Sequence, residues 1–238
     1  MRRLLALLFC FCSCETISHS SPLRIGVDPN WYSVDLYGQE AYVNGYLEEL
    51  LFALSEESGL RFERIRTNAD GLLPELAAGQ YDLVVTGLFP HPLYQSRYDF
   101  SPCVLSTGLM LLLPPHMPTA LSDKIIGIQS QEADQYLQQY PTVIIRSYPG
   151  VPELLDAILM GEVDGALVSR IPAINYVRDL YATTLEITGE PLTEAGIRFV
   201  AMKGEHKKVV ALLNKSIEKL VRKGKFKALQ EKWHLATK

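Results

Sequence analysis

Residues 152–170 read PELLDAILMGEVDGALVSR, and residues 74–87 read PELAAGQYDLVVTG. The two stretches share one layout: a Pro-Glu-Leu helix start, a helical run, then Gly-x-x-Asp and a string of small apolar residues. Proline suits the first turn of a helix, where the amide hydrogen it lacks would have no partner. Gly79 and Gly161 can take the left-handed backbone that ends a helix. Asp82 and Asp164 then fall in the turn that opens a strand. Two such units in one chain argue for two lobes built alike.

The flanking sequence extends the alternation. LRIGV (23–27) is a short apolar strand. GYLEELLFALSEESG (45–59) spaces Leu47, Leu50, Leu51 and Leu54 along one helical face, with Gly59 placed to stop it. RFERIR (61–66) alternates as a strand, GLLPELAAG (71–79) reads as a helix, and DLVVTG (82–87) as a strand buried on both faces. LSTGLMLLLPP (105–115) is a long apolar run that continues from one lobe into the other, or one more core strand. GIRFVAM (196–202) is a strand. After it, Val209, Leu212, Leu213, Ile217 and Leu220 mark a helix, Gly224 breaks it, and FKALQEKWHL closes the chain. The lysines of this tail read as a solvated face. Strands alternating with helices make an α/β protein with parallel pairs, and ligands of such sheets gather at strand carboxyl ends. Those ends are Thr86–Phe89 in one lobe and Ser169–Arg170 in the other.

The chain has 238 residues, 47% of them hydrophobic and 21% charged, with a net charge of -4. That composition suits one or two ordered domains and argues against a nucleic-acid partner. Arg2 and Arg3 precede the apolar run LLALLFCFC. Such a run is shorter than the ~20 apolar residues that span a bilayer but fits an export signal. Residues 1–21 therefore read as a signal peptide or lipoprotein leader. FCSC (11–14) resembles a lipoprotein cleavage site with Cys14 as the lipid-bearing residue, although Phe11 stands where that pattern usually has Leu. A plainly cleaved signal is the other reading. Membrane attachment would come only through such an anchor. The mature part keeps one cysteine, Cys103, so an internal disulfide is excluded.

LRIGVDPNW, NGYLEELLFALSEESGL, GLLPELAAGQYDLVVTGL, RYDFS, IIGIQSQEADQYL, LLDAILMGEVDGALVS and GKFKALQEKWHL occur in an order that resembles the bacterial extracellular solute-binding proteins of the amino-acid type, family 3. The resemblance covers roughly residues 22–236. It implies a periplasmic-binding-protein-like type II fold: two α/β lobes joined by two hinge segments, with a cleft between them. Lobe 1 would take 22–104 plus 196–238, and lobe 2 would take 108–191, with hinges near 104–108 and 191–195. It further implies a periplasmic monomer that closes on a small-molecule solute and delivers it to ABC permease subunits, with no cofactor.

The family's site uses an Arg fork on the α-carboxylate, backbone amides, an Asp for the ammonium and aromatic walls. Carried onto this chain, the resemblance points to Asp28 and Trp31 lining the cleft and to Gly87 and Phe89 offering backbone groups. A second aromatic wall would fall at Ala69 and is lost. The usual Thr-Pro-x-Arg reads His91-Pro92-Leu93-Tyr94, so the Thr is His91 and the Arg is Tyr94, with Arg97 nearby. In the second lobe the usual Gly-Thr reads Gln131-Glu132, and the ammonium-binding Asp reads Ser169, followed by Arg170. A tyrosine hydroxyl gives ~1 kcal/mol where charge-assisted bonds give ~1.5–3, and Glu132 would repel a carboxylate. Either Arg97 or Arg170 has moved in, or the solute is cationic or less charged, or the chain holds no tight ligand.

No Gly-x-Ser-x-Gly, His-Glu-x-x-His or phosphate-cradling glycine loop occurs. The five His are scattered without metal-ligand spacing. His91 and Glu132 across a closed cleft would be the acid–base pair of a dehydratase-like enzyme of this fold, but nothing in the sequence requires it. A sensory or partner-binding lipoprotein is the other alternative.

Overall fold

The computed structural model describes residues 21–28, 40–65, 67 and 70–237. The leader and Cys14 lie outside the described residues, as do Trp31 and Ala69. The first half runs β1 (Leu23–Val27), α1 (Glu40–Ser58), β2 (Phe62–Ile65), α2 (Leu72–Ala77), β3 (Leu83–Thr86), α3 (Pro92–Gln95), β4 (Tyr98–Phe100) and β5 (Leu105–Ser106). Then come β6 (Leu109–Leu113), β7 (Ile125–Ile128), α4 (Gln131–Leu137), β8 (Ile144–Ser147), α5 (Val151–Leu159), β9 (Gly165–Ser169), α6 (Arg170–Asp179) and β10 (Glu186–Thr188). β11 (Gly196–Met202), α7 (Lys207–Arg222) and α8 (Lys225–Lys232) finish the chain. Among the described residues no helix is long and apolar enough to cross a membrane.

The strands form two sheets of one design. The first is ordered β2-β1-β3-β11-β4, with β5 also on β11, and the second β8-β7-β9-β6-β10. In each, three parallel strands are followed by one antiparallel strand and an edge strand. The repeated Asp supplies the same stitch in both. The Asp82 carboxylate accepts the Arg24 amide hydrogen at 2.7 Å while the Asp82 amide donates to the Arg24 carbonyl at 2.9 Å. Asp164 does the same to Ile125, at 2.7 and 2.8 Å. Each Asp therefore locks its strand onto the neighbouring parallel strand at the first rung. Gly79 and Gly161, both with φ near +70°, close the preceding helices.

The first sheet packs one face on α1, α7 and α8, with Leu47, Leu50, Leu54, Phe199, Leu213 and Ile217 in the core. Burying each such side chain contributes about 1.5–3 kcal/mol. Its other face packs on α2 through Leu72, Leu76 and Val84. The second sheet is covered by α5 and α6 on one side and by α4 on the other. α7 buries Leu213, Ile217 and Leu220, whereas Leu212, expected on the same face, is 38% exposed.

The long apolar run near 105–115 is two strands. β5 belongs to the first sheet and β6 to the second, with Thr107 and Gly108 between them. The chain returns between β10 and β11. The two crossings touch: a Cβ on Gly108 would lie 2.1 Å from the Thr193 carbonyl oxygen, and one on Gly196 would lie 2.3 Å from Cys103 Sγ. Only glycine allows these approaches.

Candidate functional site

Both crossings leave their sheets at the carboxyl ends of the parallel strands. On one side Gly196 opens β11, and Arg198 pairs with Thr86 at the end of β3. On the other side Leu109 opens β6 and pairs with Ser169 at the end of β9. The two sets of strand tips are therefore joined at the same end.

On the first sheet, one rung at those tips is polar. Val27 pairs with Val85, so Asp28 stands beside Thr86, and Arg198 stands on its other side. Their neighbours Val27, Val85, Ile197 and Phe199 point into the α1–α7 core. Strand alternation sends Asp28, Thr86 and Arg198 to the opposite face. The Thr86 hydroxyl donates to the Asp28 carboxylate at 2.9 Å, and the Asp28 amide donates to the Val85 carbonyl at 2.9 Å. Arg198 is only 8% exposed. Its guanidinium donates to the carbonyls of Gly196 (2.9 Å) and Glu194 (3.0 Å) and sits 6.0 Å from the Phe89 ring centre. Among the described residues no carboxylate pairs with it.

The loop after β3 carries the other first-sheet candidates. Gly87 is exposed and has room around it, with the Ile197 side chain 3.8 Å from a Cβ placed there. Phe89 is 45% exposed. His91 caps α3, its Nδ1 accepting weakly from the Leu93 amide at 3.4 Å. Tyr94 lies on α3, 41% exposed, 6.5 Å from the Tyr98 ring. Arg97 is elsewhere: its carbonyl accepts from the Lys203 amide, beyond the Met202–Tyr98 pair, and its guanidinium lies over Tyr98. Met202 is the end of β11 remote from Gly196, so the structure does not bring Arg97 to the strand tips.

On the second sheet, Ser169 ends β9 and precedes α6. Arg170, 8% exposed, is drawn into the first crossing: its amide donates to Thr107 and Gly108 carbonyls, and Nη1 to the Ser106 carbonyl at 3.3 Å. Burial pushes its guanidinium pKa down, opposed by the fields of Glu190, Tyr46 and Cys103. Ile171 beside it joins the first core, and the Tyr46 phenol donates to the Val104 carbonyl in the same crossing. Glu132 lies in the first turn of α4 and accepts from the Thr193 hydroxyl at 2.6 Å, while that hydroxyl accepts from the Leu109 amide at 3.0 Å. Glu132 is thus tied to the second crossing. The structure gathers Asp28, Gly87 and Phe89 around the first sheet's tips, and Ser169, Arg170 and Glu132 around the crossings.

Arg198 and Thr193 were not anticipated from the sequence. A lone arginine flanked by Ile197 and Phe199 in an otherwise apolar strand was the available signal. Charged residues are seldom buried unless something compensates them. Among the described residues no cluster of His, Cys, Asp and Glu could hold a metal ion.

A family model for bacterial extracellular solute-binding proteins, family 3, matches residues 23–236. The L-cystine-binding protein TcyJ of Escherichia coli (strain K12) is 24% identical over 227 residues, which cover 91% of this chain and 84% of that protein. A probable histidine-binding protein of Campylobacter jejuni is 21% identical over 222 residues, covering 90% and 85%. The unliganded, open L-cystine solute receptor of Neisseria gonorrhoeae superposes with a TM-score of 0.71 at 20% identity, over 90% of this chain and 92% of that one. The second substrate-binding domain of a putative amino acid ABC transporter from Streptococcus pneumoniae gives 0.70 at 19%, over 90% and 100%. These likenesses are of fold, that of the type II periplasmic binding proteins. With a family match over nearly its whole length, the chain belongs to the bacterial extracellular solute-binding proteins, family 3.

Proposed function

We propose that the chain is the extracytoplasmic solute-binding component of an ABC importer and that it carries an amino acid or a close derivative rather than turning one over. The observation that supports this reading most is the meeting of two like-built sets of strand tips across two touching crossings. A solute held between them contacts both sheets, and its binding energy favours the closed arrangement. The relatives named for L-cystine and histidine suggest the solute class. In this reading residues 22–104 with 196–238 form one lobe and 108–191 the other. Asp28, Gly87, Phe89, His91 and Tyr94 line the gap from the first lobe, and Glu132, Ser169 and Arg170 border it from the second. The mature chain works in the periplasm as a monomer that docks on permease subunits, and Cys14 carries a lipid anchor.

Thermal shift against L-cystine, L-histidine and the other protein amino acids tests this. A solute at saturation that adds about 3 kcal/mol raises the melting temperature by several degrees. Small-angle scattering should then show a smaller radius of gyration with that solute. No shift across the panel overturns the reading, and a shift without compaction overturns closure.

A further inference from the structure

We propose that Arg198, on the strand that enters from the second crossing, takes the carboxylate of the solute in place of the loop arginine this chain lacks. The inference rests on the solute-binding reading above and names the residue that sets its ligand class.

The position at which the family resemblance would put a carboxylate-binding arginine holds Tyr94, and Arg97 lies at the far end of the first sheet. Arg170 reaches the strand tips' neighbourhood but spends its backbone and side chain on carbonyls of the first crossing. Arg198 differs in three ways. Its side chain belongs to the polar rung at the strand tips, on the face away from the α1–α7 core. It reaches along its own strand toward Gly196 and Glu194, out of the first sheet and toward the second. And it is buried with two neutral carbonyls as partners but no carboxylate among the described residues. A guanidinium has more N–H donors than two carbonyls occupy. Removing a charge from water without an opposite charge is costly. A solute carboxylate arriving at this rung supplies that charge.

The neighbours fit such a guest. Phe89, half open to solvent beside the guanidinium, offers a ring against which the solute can lie. Asp28 stands two strands from Arg198, with Thr86 between, so opposite charges flank the rung. A zwitterion meets both, the ammonium toward Asp28 and the carboxylate toward Arg198. The ligand class is therefore an α-amino acid rather than a polyamine or a neutral sugar. Because the same guanidinium holds the Glu194 and Gly196 carbonyls of the second crossing, ligand capture and hinge geometry meet in one side chain.

The test compares each stabilising L-amino acid with its α-amide, which keeps the ammonium and side chain but lacks the carboxylate charge. In the wild-type protein the amide should bind about 10- to 100-fold more weakly, the worth of a charge-assisted pair. In Arg198→Gln the acid should weaken by a similar factor and the acid-to-amide ratio should fall to within about threefold, the amide losing no charge pairing. A residue that only staples the crossing would weaken both probes alike and leave the ratio unchanged, which overturns the proposal. Equal binding of acid and amide by the wild type also overturns it, while the solute-binding reading stands. Binding of no amino acid at all sinks both. Should Arg198→Gln not fold, the wild-type protein still decides. Its Arg198 Nε–Hε resonance, assigned by its loss in Arg198→Lys, should move on saturation with the acid and not with the amide. A resonance unmoved by the acid counts against the role.

Discussion

One carboxylate does two tasks at Asp82. It receives the Arg24 amide and also the Arg24 guanidinium, at 3.0 Å, and His206 stands 3.6 Å away. Burial alone pushes its pKa up, but the hydrogen bonds from the Arg24 side chain and backbone outweigh that and hold it below the usual carboxylate range. Asp99 is lowered likewise by the side-chain bond from Lys203. A carboxyl lowered in the folded state stabilises the fold fully above its unfolded pKa, about 3.9, and the benefit is lost as pH falls through the folded value. Denaturant melts from pH 2 to 7 should therefore show stability falling below about pH 4, and Asp82→Asn should flatten that acid limb while lowering stability at neutral pH. A mutant with an unchanged acid limb contradicts this account. Asp82 and Asp164 were legible because the sequence states their setting twice. Arg198 was not, because its companions come from positions 28, 86 and 194, which local patterning never brings together.

At the scale of elements, α1 starts at Glu40, five residues before Gly45, where the helical stretch read in the sequence begins. The reason for the odd glycine in this helix lies at the far end of the chain. A Cβ on Gly45 would stand 2.2 Å from the Trp233 ring, so the gap left by glycine admits that indole after α8. Alanine would favour the helix by up to ~1 kcal/mol, but overpacking a close ring costs about 1–3, and the second effect wins. Gly45→Ala should lower the melting temperature by several degrees and alter the Trp233 emission; a stabilised variant would show that the indole moves aside freely. The repeated units, the strand tips and the tail helices could all be read from periodicity and from Gly and Pro punctuation. The break in the run 105–115 is marked only by the short stretch Ser106-Thr107-Gly108, too little for periodicity to divide β5 from β6; the close approach of Thr193 to Gly108 shows where the chain crosses.

Across the whole molecule the two sheets share a topology but not a schedule. Every strand of the second sheet lies between Leu109 and Thr188. The first sheet is split: β11, which arrives after all of these, is an interior strand seated between β3 and β4. Sheets that join distant segments form slowly because loop closure precedes the contacts that reward it. In refolding followed by pulsed hydrogen exchange, amides of β6, β7 and β9 should gain protection before those of β3 and β4. Simultaneous protection would mean the two sheets fold as one unit.

The interior seat of β11 also bears on how the molecule is made. While the polypeptide is still being synthesised, β3 and β4 have a vacancy between them that only the last forty-odd residues can fill. Until then that half exposes unpaired backbone, the feature that invites wrong partners. A truncation anywhere after the second sheet but before Gly196 would leave the first sheet without its interior strand, so completion of that half waits on the residues from Gly196 onward.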